Sequence, residues 1–282
     1  MSGLFDFGSI GLSDLDEEDI FEDKKQKEKE KLEPPKEEDF LLDKEVECPV
    51  CGNKSNQKIL KTGKVKLIST DRDLRPKYSI LDSGKYEVYQ CGVCGYAALA
   101  KSFSHISAKQ TEMIREGFCT RVKLRSFVQG ATYSYEEALE RYKLALACAM
   151  VRKAKAGEKA YICLKTAWLL RGYAEFKKEQ GDTGLLAEIE KAEQDYLGEA
   201  YRGFSKAVTV ESFPICGMDE STIDYLLAAL AFETGNLEAS SRLVYKIVQN
   251  KNAGSRVKER AINLKDEILA ETRRRRNEKS EN

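Results

Sequence analysis

The chain has 282 residues, with 47 lysines and arginines against 47 aspartates and glutamates, so it carries no net charge although a third of it is charged. That length fits two folded units better than one small module, and an apolar share of 41% implies a real core diluted by a solvated segment. The longest apolar run, Tyr225 to Phe232, is far short of the roughly 20 residues that cross a bilayer, and the acidic start lacks a cationic signal-peptide region, which predicts a soluble, cytoplasmic protein.

Residues 1–44 hold 15 acids and 7 bases, with isolated apolar residues such as Leu4, Phe5, Phe7, Ile10 and Leu12. Such a composition buries too little apolar surface to offset the cost of ordering, so it predicts an acidic disordered tail. Its apolar residues leave open a docking peptide that folds on a partner or on the body. Residues 45–130 reverse the balance, with 8 acids and 15 bases, and read as a small β zinc-ribbon domain with a basic linker. An acidic tail that folds back over this basic region and screens it is one expectation of the charge pattern.

The ribbon reading rests on two matched knuckles, Cys48-Pro49-Val50-Cys51-Gly52 and Cys91-Gly92-Val93-Cys94-Gly95. Each aims two sulfurs at one point, and the trailing glycine permits the positive φ that such a turn needs. Four thiolates from Cys48, Cys51, Cys91 and Cys94 form the tetrahedral set of a structural Zn²⁺ site, one per chain, with iron as the competing metal. Four protein ligands leave no coordination position for water or substrate, so the site is expected to hold the fold together. Between the knuckles, Lys64–Ser69 and Tyr86–Gln90 alternate in the strand manner and predict a hairpin. The charged stretch from Asp71 to Pro76 reads as a loop within it.

From Ser134 the pattern turns helical, starting with the capping-box sequence Ser134-Tyr135-Glu136-Glu137. Ala138, Tyr142, Ala145 and Ala149 share one packing face, Ala200, Phe204 and Ala207 repeat it, and Ser240, Val244 and Ile247 repeat it more loosely. Helices containing Trp168, Gly172 and Tyr173, and spanning Thr222 to Phe232, precede the second and third sets. This organisation predicts tetratricopeptide-like helical hairpins over residues 131–276, with a last helix from Arg256 to Arg275 as a cap. The fold class is therefore mainly α, with a small β ribbon first and a disordered N-terminal tail.

Together, the Cys-Pro-x-Cys-Gly knuckle, Thr70-Asp71-Arg72-Asp73-Leu74-Arg75-Pro76, the second knuckle running into Tyr96-Ala97-Ala98, and Phe213-Pro214-Ile215-Cys216-Gly217-Met218-Asp219-Glu220 resemble the bacterial family called domain of unknown function 2225, over roughly residues 45–270. The resemblance implies a zinc-ribbon start joined to tetratricopeptide-like helices, with no established activity.

His105 is the only histidine, which leaves no histidine-based catalytic set without it, and no phosphate-binding glycine loop is present. No enzyme is expected. Asp71 and Asp73 read as partners of Arg72 and Arg75 rather than as cation ligands. Cys119, Cys148 and Cys163 read as small apolar residues within helices, and Cys216 as the most exposed thiol. The expected function is a non-enzymatic zinc-binding adaptor or scaffold whose helical repeats bind a protein or peptide partner. The alternative is a nucleic-acid-binding protein using Lys54, Lys58, Lys61, Lys64, Lys66 and Lys85 with Tyr78, Tyr86 and Tyr89.

Overall fold

The computed structural model describes residues 35–125, 127 and 130–280; the acidic segment of residues 1–34, with its expected disorder and docking roles, lies outside them. The first described element begins at Glu37, inside the segment that charge alone assigns to the tail. A 3-10 turn, Glu37–Phe40, leads into β1 (Leu41–Glu47), which pairs antiparallel with β2 (Lys54–Leu60) in unbroken register from Leu41 opposite Leu60 to Glu47 opposite Lys54. Acidic β1 lies against basic β2: Glu45 pairs with Lys54 at 2.9 Å and Asp43 with Lys58 at 3.3 Å. Residues 37–44, assigned to the tail by their acidity, are thus the complement of the basic strand.

Two further hairpins follow. Strand β3 (Leu67–Thr70) pairs with β4 (Pro76–Tyr78), and β5 (Val88–Gln90) with β6 (Ala97–Leu99). The expected hairpin between residues 64–69 and 86–90 does not form; each segment pairs with its own near neighbour instead. This is the cheaper closure, because local pairing closes a short loop before a long one. The knuckles occupy the six-residue connections β1–β2 and β5–β6, so the four cysteines join two hairpins at their tips.

A short helix α1 (Ala108–Ile114), capped by Ser107, runs into a π turn, Arg115–Cys119. Six longer helices complete the chain: α2 (Tyr135–Val151), α3 (Ala156–Glu179), α4 (Leu186–Val210), α5 (Glu220–Glu233), α6 (Leu237–Gln249) and α7 (Ser255–Ser280). Their ends follow local chemistry. Side-chain oxygens of Ser134, Asp219 and Asn236 accept from Glu137 N, Thr222 N and Ala239 N at 3.1, 2.8 and 3.1 Å and cap α2, α5 and α6. Gly181 and Gly235 sit in the left-handed region just past α3 and α5, where the next residue's N–H reaches back to Lys177 O and Ala231 O.

Every residue of the three predicted packing sets is buried. Helix α3 packs on α4, α5 on α6, and α7 on both α5 and α6. The α3–α4 crossing is close because a Cβ on Gly203 would lie 2.7 Å from Ala160 Cβ. The protein is mainly α with a small β region, as the sequence predicts.

One core runs across the expected boundary at residue 130. Cys48, Val50, Val88, Cys91, Tyr96 and Phe103 of the ribbon share it with Ile114 of α1, Ala138, Tyr142 and Cys148 of α2, and Ile162 and Leu169 of α3. Residues 37–282 form one compact unit. The ribbon is thus built onto α2 and α3.

Candidate metal centre and the clamp beside it

The two knuckles are near copies. In the first, Cys48 N donates to Asn53 O at 2.9 Å and Gly52 N to Cys48 O at 2.9 Å; in the second, Cys91 N donates to Tyr96 O at 2.8 Å and Gly95 N to Cys91 O at 3.0 Å. Gly52 and Gly95 adopt φ of 74° and 76°, the left-handed conformation anticipated for them. The tight turn also directs the N–H groups of Val50 and Cys51 at the Cys48 sulfur, and those of Val93 and Cys94 at the Cys91 sulfur. Such donors stabilise negative charge on sulfur.

The four Sγ atoms lie within 4.8 Å of one another. Cys48 Sγ is 3.7 Å from Cys94 Sγ, and Cys51 Sγ is 3.5 Å from Cys91 Sγ. A tetrahedral metal with bonds of about 2.3 Å to sulfur has edges of about 3.8 Å, so the donor set fits such an ion with little movement. The Cys94 thiol, hydrogen-bonded to Cys48, holds Cys48 down at about 5, while that same bond and burial drive Cys94 far up. A cation bound there would displace the protons that the raised Cys91 and Cys94 thiols carry. Around them, Asn53 Nδ2 donates to Cys51 Sγ at 3.3 Å. Arg115 donates Nε and Nη2 to Val50 O at 2.8 and 2.6 Å, which brings positive charge to a centre that four thiolates would make anionic with a divalent ion bound. The place of Arg115 beside the cysteines is not legible in the sequence, because it lies 64 residues from Cys51 and α1 carries it back.

The remaining cysteines behave as expected of buried thiols. Burial pushes Cys148 up to about 12 and Cys163 to about 11. Cys119 borders Cys94 and is likewise raised by burial. Cys216 is exposed as a residue, yet its thiol lines a cavity wall, where burial and the carboxylates of Glu158 and Glu211 push it up to about 12. At neutral pH it is a thiol. His105 is a surface residue whose Nδ1 lies 2.9 Å from Lys101 O.

The loop from Asp71 to Pro76 does more than leave and re-enter a hairpin. Asp73, fully buried, accepts from Trp168 Nε1 at 3.0 Å and from Arg171 Nη1 and Nη2 at 3.0 and 2.9 Å. Asp71 lies 3.6 Å from Arg75, 3.5 Å from Lys77 and 3.4 Å from Arg171, and Arg75 pairs with Glu175 at 2.9 Å. Arg72 reaches Glu233 of α5 at 2.6 Å and Glu267 of α7, stacks over Phe232 at 4.4 Å, and its carbonyl accepts from Tyr225 at 2.9 Å. These acids are arginine partners, as expected, although Asp73 takes Arg171 from α3 rather than a loop neighbour. One short loop clamps α3, α5 and α7 to the ribbon.

Of the six ribbon lysines suited to phosphate contact, Lys54, Lys58 and Lys85 pair with Glu45, Asp43 and Glu37, and Lys61 donates to Asp39 O at 2.7 Å. Among the described residues no helix is long and apolar enough to cross a membrane.

No curated protein matches the chain, and no solved structure does. A family model described as "Uncharacterized protein conserved in bacteria (DUF2225)" matches residues 41–268, a span that holds both knuckles, the clamp loop and helices α1 to α6. The chain belongs to the DUF2225 family.

Proposed function

We propose that this protein is a non-enzymatic, cytoplasmic adaptor in which one structural Zn²⁺ on Cys48, Cys51, Cys91 and Cys94 fixes a ribbon against tetratricopeptide-like helix pairs that bind a protein or peptide. The observation that carries this reading is the closed four-sulfur set: edges of 3.5 and 3.7 Å suit one tetrahedral ion and leave no ligand position for chemistry. With the face of α3, α5 and α7 taken by the clamp loop, the groove between α4 and α6, lined by Tyr201, Val208, Leu227 and Leu243, is where a partner helix or strand would lie.

Metal analysis of the purified protein is the first test, with one zinc per chain expected; visible charge-transfer absorption from iron would replace zinc in the reading. The second is crosslinked capture from native cytosol, comparing the intact chain with one lacking residues 1–34 and with a Leu243→Glu variant. A partner lost on Leu243→Glu supports the adaptor. Specific recovery of nucleic acid, abolished by moderate salt, would favour a phosphate-binding ribbon.

A further inference from the structure

A cavity of about 420 Å³ opens between the ribbon and α3. Ile59, Leu60, Tyr86, Tyr89 and Leu99 line it from the ribbon side, Tyr161 and Lys165 from α3, and Cys216 from the loop between α4 and α5. It lies on the seam between two structural layers, a place where small-molecule sites are common. Two larger cavities, of about 590 and 580 Å³, differ in kind. The first has a floor of ion pairs, Arg75–Glu175 and Lys85–Glu37, that already hold the ribbon in place.

The charges in the smaller cavity are internally balanced. Lys165, its side chain only 9% exposed, bonds both oxygens of Glu87 at 3.0 and 2.8 Å and lies over the rings of Trp168 and Tyr161 at 4.7 and 5.4 Å. Glu158 pairs with Arg152. An ionic guest would give up its water without gaining an uncompensated counter-charge, whereas an uncharged one loses far less hydration by entering. Lys101 stands exposed at the solvent rim.

The rim is also rigid. Ile215 N donates to Met218 O at 3.0 Å and Met218 N to Ile215 O at 2.9 Å, closing a two-residue turn in which Cys216 and Gly217 both have positive φ, 50° and 81°. Such turns favour Asn or Gly at the first central position, and here a cysteine side chain occupies it against that preference. Ile215 is fully buried and anchors the turn. The result is a polarisable sulfur fixed at the wall of a pocket faced by three tyrosines.

We propose that this cavity binds an uncharged, planar aromatic small molecule, held between the tyrosine rings and the sulfur of Cys216. The volume corresponds to roughly 15 to 20 non-hydrogen atoms at the packing density of organic crystals. Tyr86, Tyr89 and Tyr161 line the cavity with aromatic surface, and the Tyr89 hydroxyl offers a hydrogen bond to a carbonyl or ring nitrogen. The proposal is independent of the adaptor reading.

The test uses the metal-loaded full chain and prodan, an uncharged aminonaphthyl ketone whose emission shifts to the blue in apolar surroundings. Saturable binding of one prodan per chain is expected, at least tenfold tighter than that of the anionic dye anilinonaphthalene sulfonate. Ala100→Trp, which fills the mouth, should weaken it at least tenfold while metal content and unfolding midpoint stay unchanged. Hydrogen exchange should show prodan protecting residues 99–102 and 161–165. Absence of saturable binding, equal affinity for the anionic dye, or protection confined to other elements would overturn the proposal. Should Ala100→Trp not fold, the dye comparison and exchange map decide alone.

Discussion

At the scale of single residues, the glycines that close the knuckles separate two costs that are usually confounded. A Cβ on Gly52 would meet nothing within 4 Å, so Gly52→Ala carries only the left-handed backbone cost, about 1–2 kcal/mol. At Gly95 the same atom would lie 2.8 Å from Leu124 and 3.1 Å from Val122, adding overpacking of about 1–3 kcal/mol. Thermal unfolding of the metal-loaded variants should therefore rank Gly95→Ala below Gly52→Ala, and equal midpoints would contradict the packing argument. The clamp offers a larger effect. Arg171→Met leaves the fully buried Asp73 with Trp168 as its remaining side-chain donor, and breaking a buried pair costs about 3–5 kcal/mol; a loss under about 1 kcal/mol in urea unfolding would show that solvent reaches the site. The neighbouring Glu175 adds a pH dependence. Burial works against its carboxylate, but hydrogen bonds from Arg75 and Lys77 outweigh that and hold it below the usual carboxyl range. A depressed value means the stabilisation is present above the unfolded value near 4.5 and is lost as pH falls through the folded one. Stability should decline below about pH 4.5 more steeply in the wild type than in Glu175→Gln.

At the scale of elements, the helices were legible, and so were the strands at residues 64–69 and 86–90, but their partners were not, for a physical reason. A helix buries a face written at spacings of three and four along one segment, so Ala138, Tyr142 and Ala145 declare α2 without help from the rest of the chain. Strand partners lie outside the segment. Lys64–Ser69 alternates whether it pairs with residues 76–78 or with residues 86–90, and only three-dimensional closure selects the first. The clustering of the four cysteines was legible because coordination chemistry constrains spacing within each knuckle, whereas Arg115 and the Asp73–Arg171 pair depend on contacts between distant elements. The small-residue crossing of α3 and α4 tests the helical part. A Gly203→Val side chain would begin 2.7 Å from Ala160 Cβ, where backbone on both sides leaves no flexible atom to yield. A loss of at least about 2 kcal/mol is expected, and restoring stability by Ala160→Gly in the same chain would assign the loss to that contact.

For the whole molecule, the shared core changes what metal removal should do. A ribbon that folded as a separate domain would unfold alone when its zinc left. Here Cys48 and Cys91 are themselves core residues, packed with Tyr96 and Phe103 against Ala138, Tyr142 and Cys148 of α2. Four thiols freed of a cation lose the constraint that joins the tips of hairpins β1–β2 and β5–β6. The apolar face of α2 then loses its cover. Helices α5, α6 and α7 pack around Tyr225, Ala228, Val244, Ala261 and Leu264, a cluster that contains no residue of either knuckle. Coupling between the two regions runs through the clamp loop, where Asp73 and Arg72 tie the β3–β4 turn to α3, α5 and α7. Chelation should therefore speed hydrogen exchange in residues 41–60, 88–99 and 135–151 together, while residues 220–249 keep their protection. Loss confined to the ribbon would mean that α2 is held by α3 alone; loss throughout the chain would mean that the clamp transmits the whole effect. The intermediate pattern is the one the packing requires, because the core that holds the knuckle cysteines reaches α2 and stops short of α5.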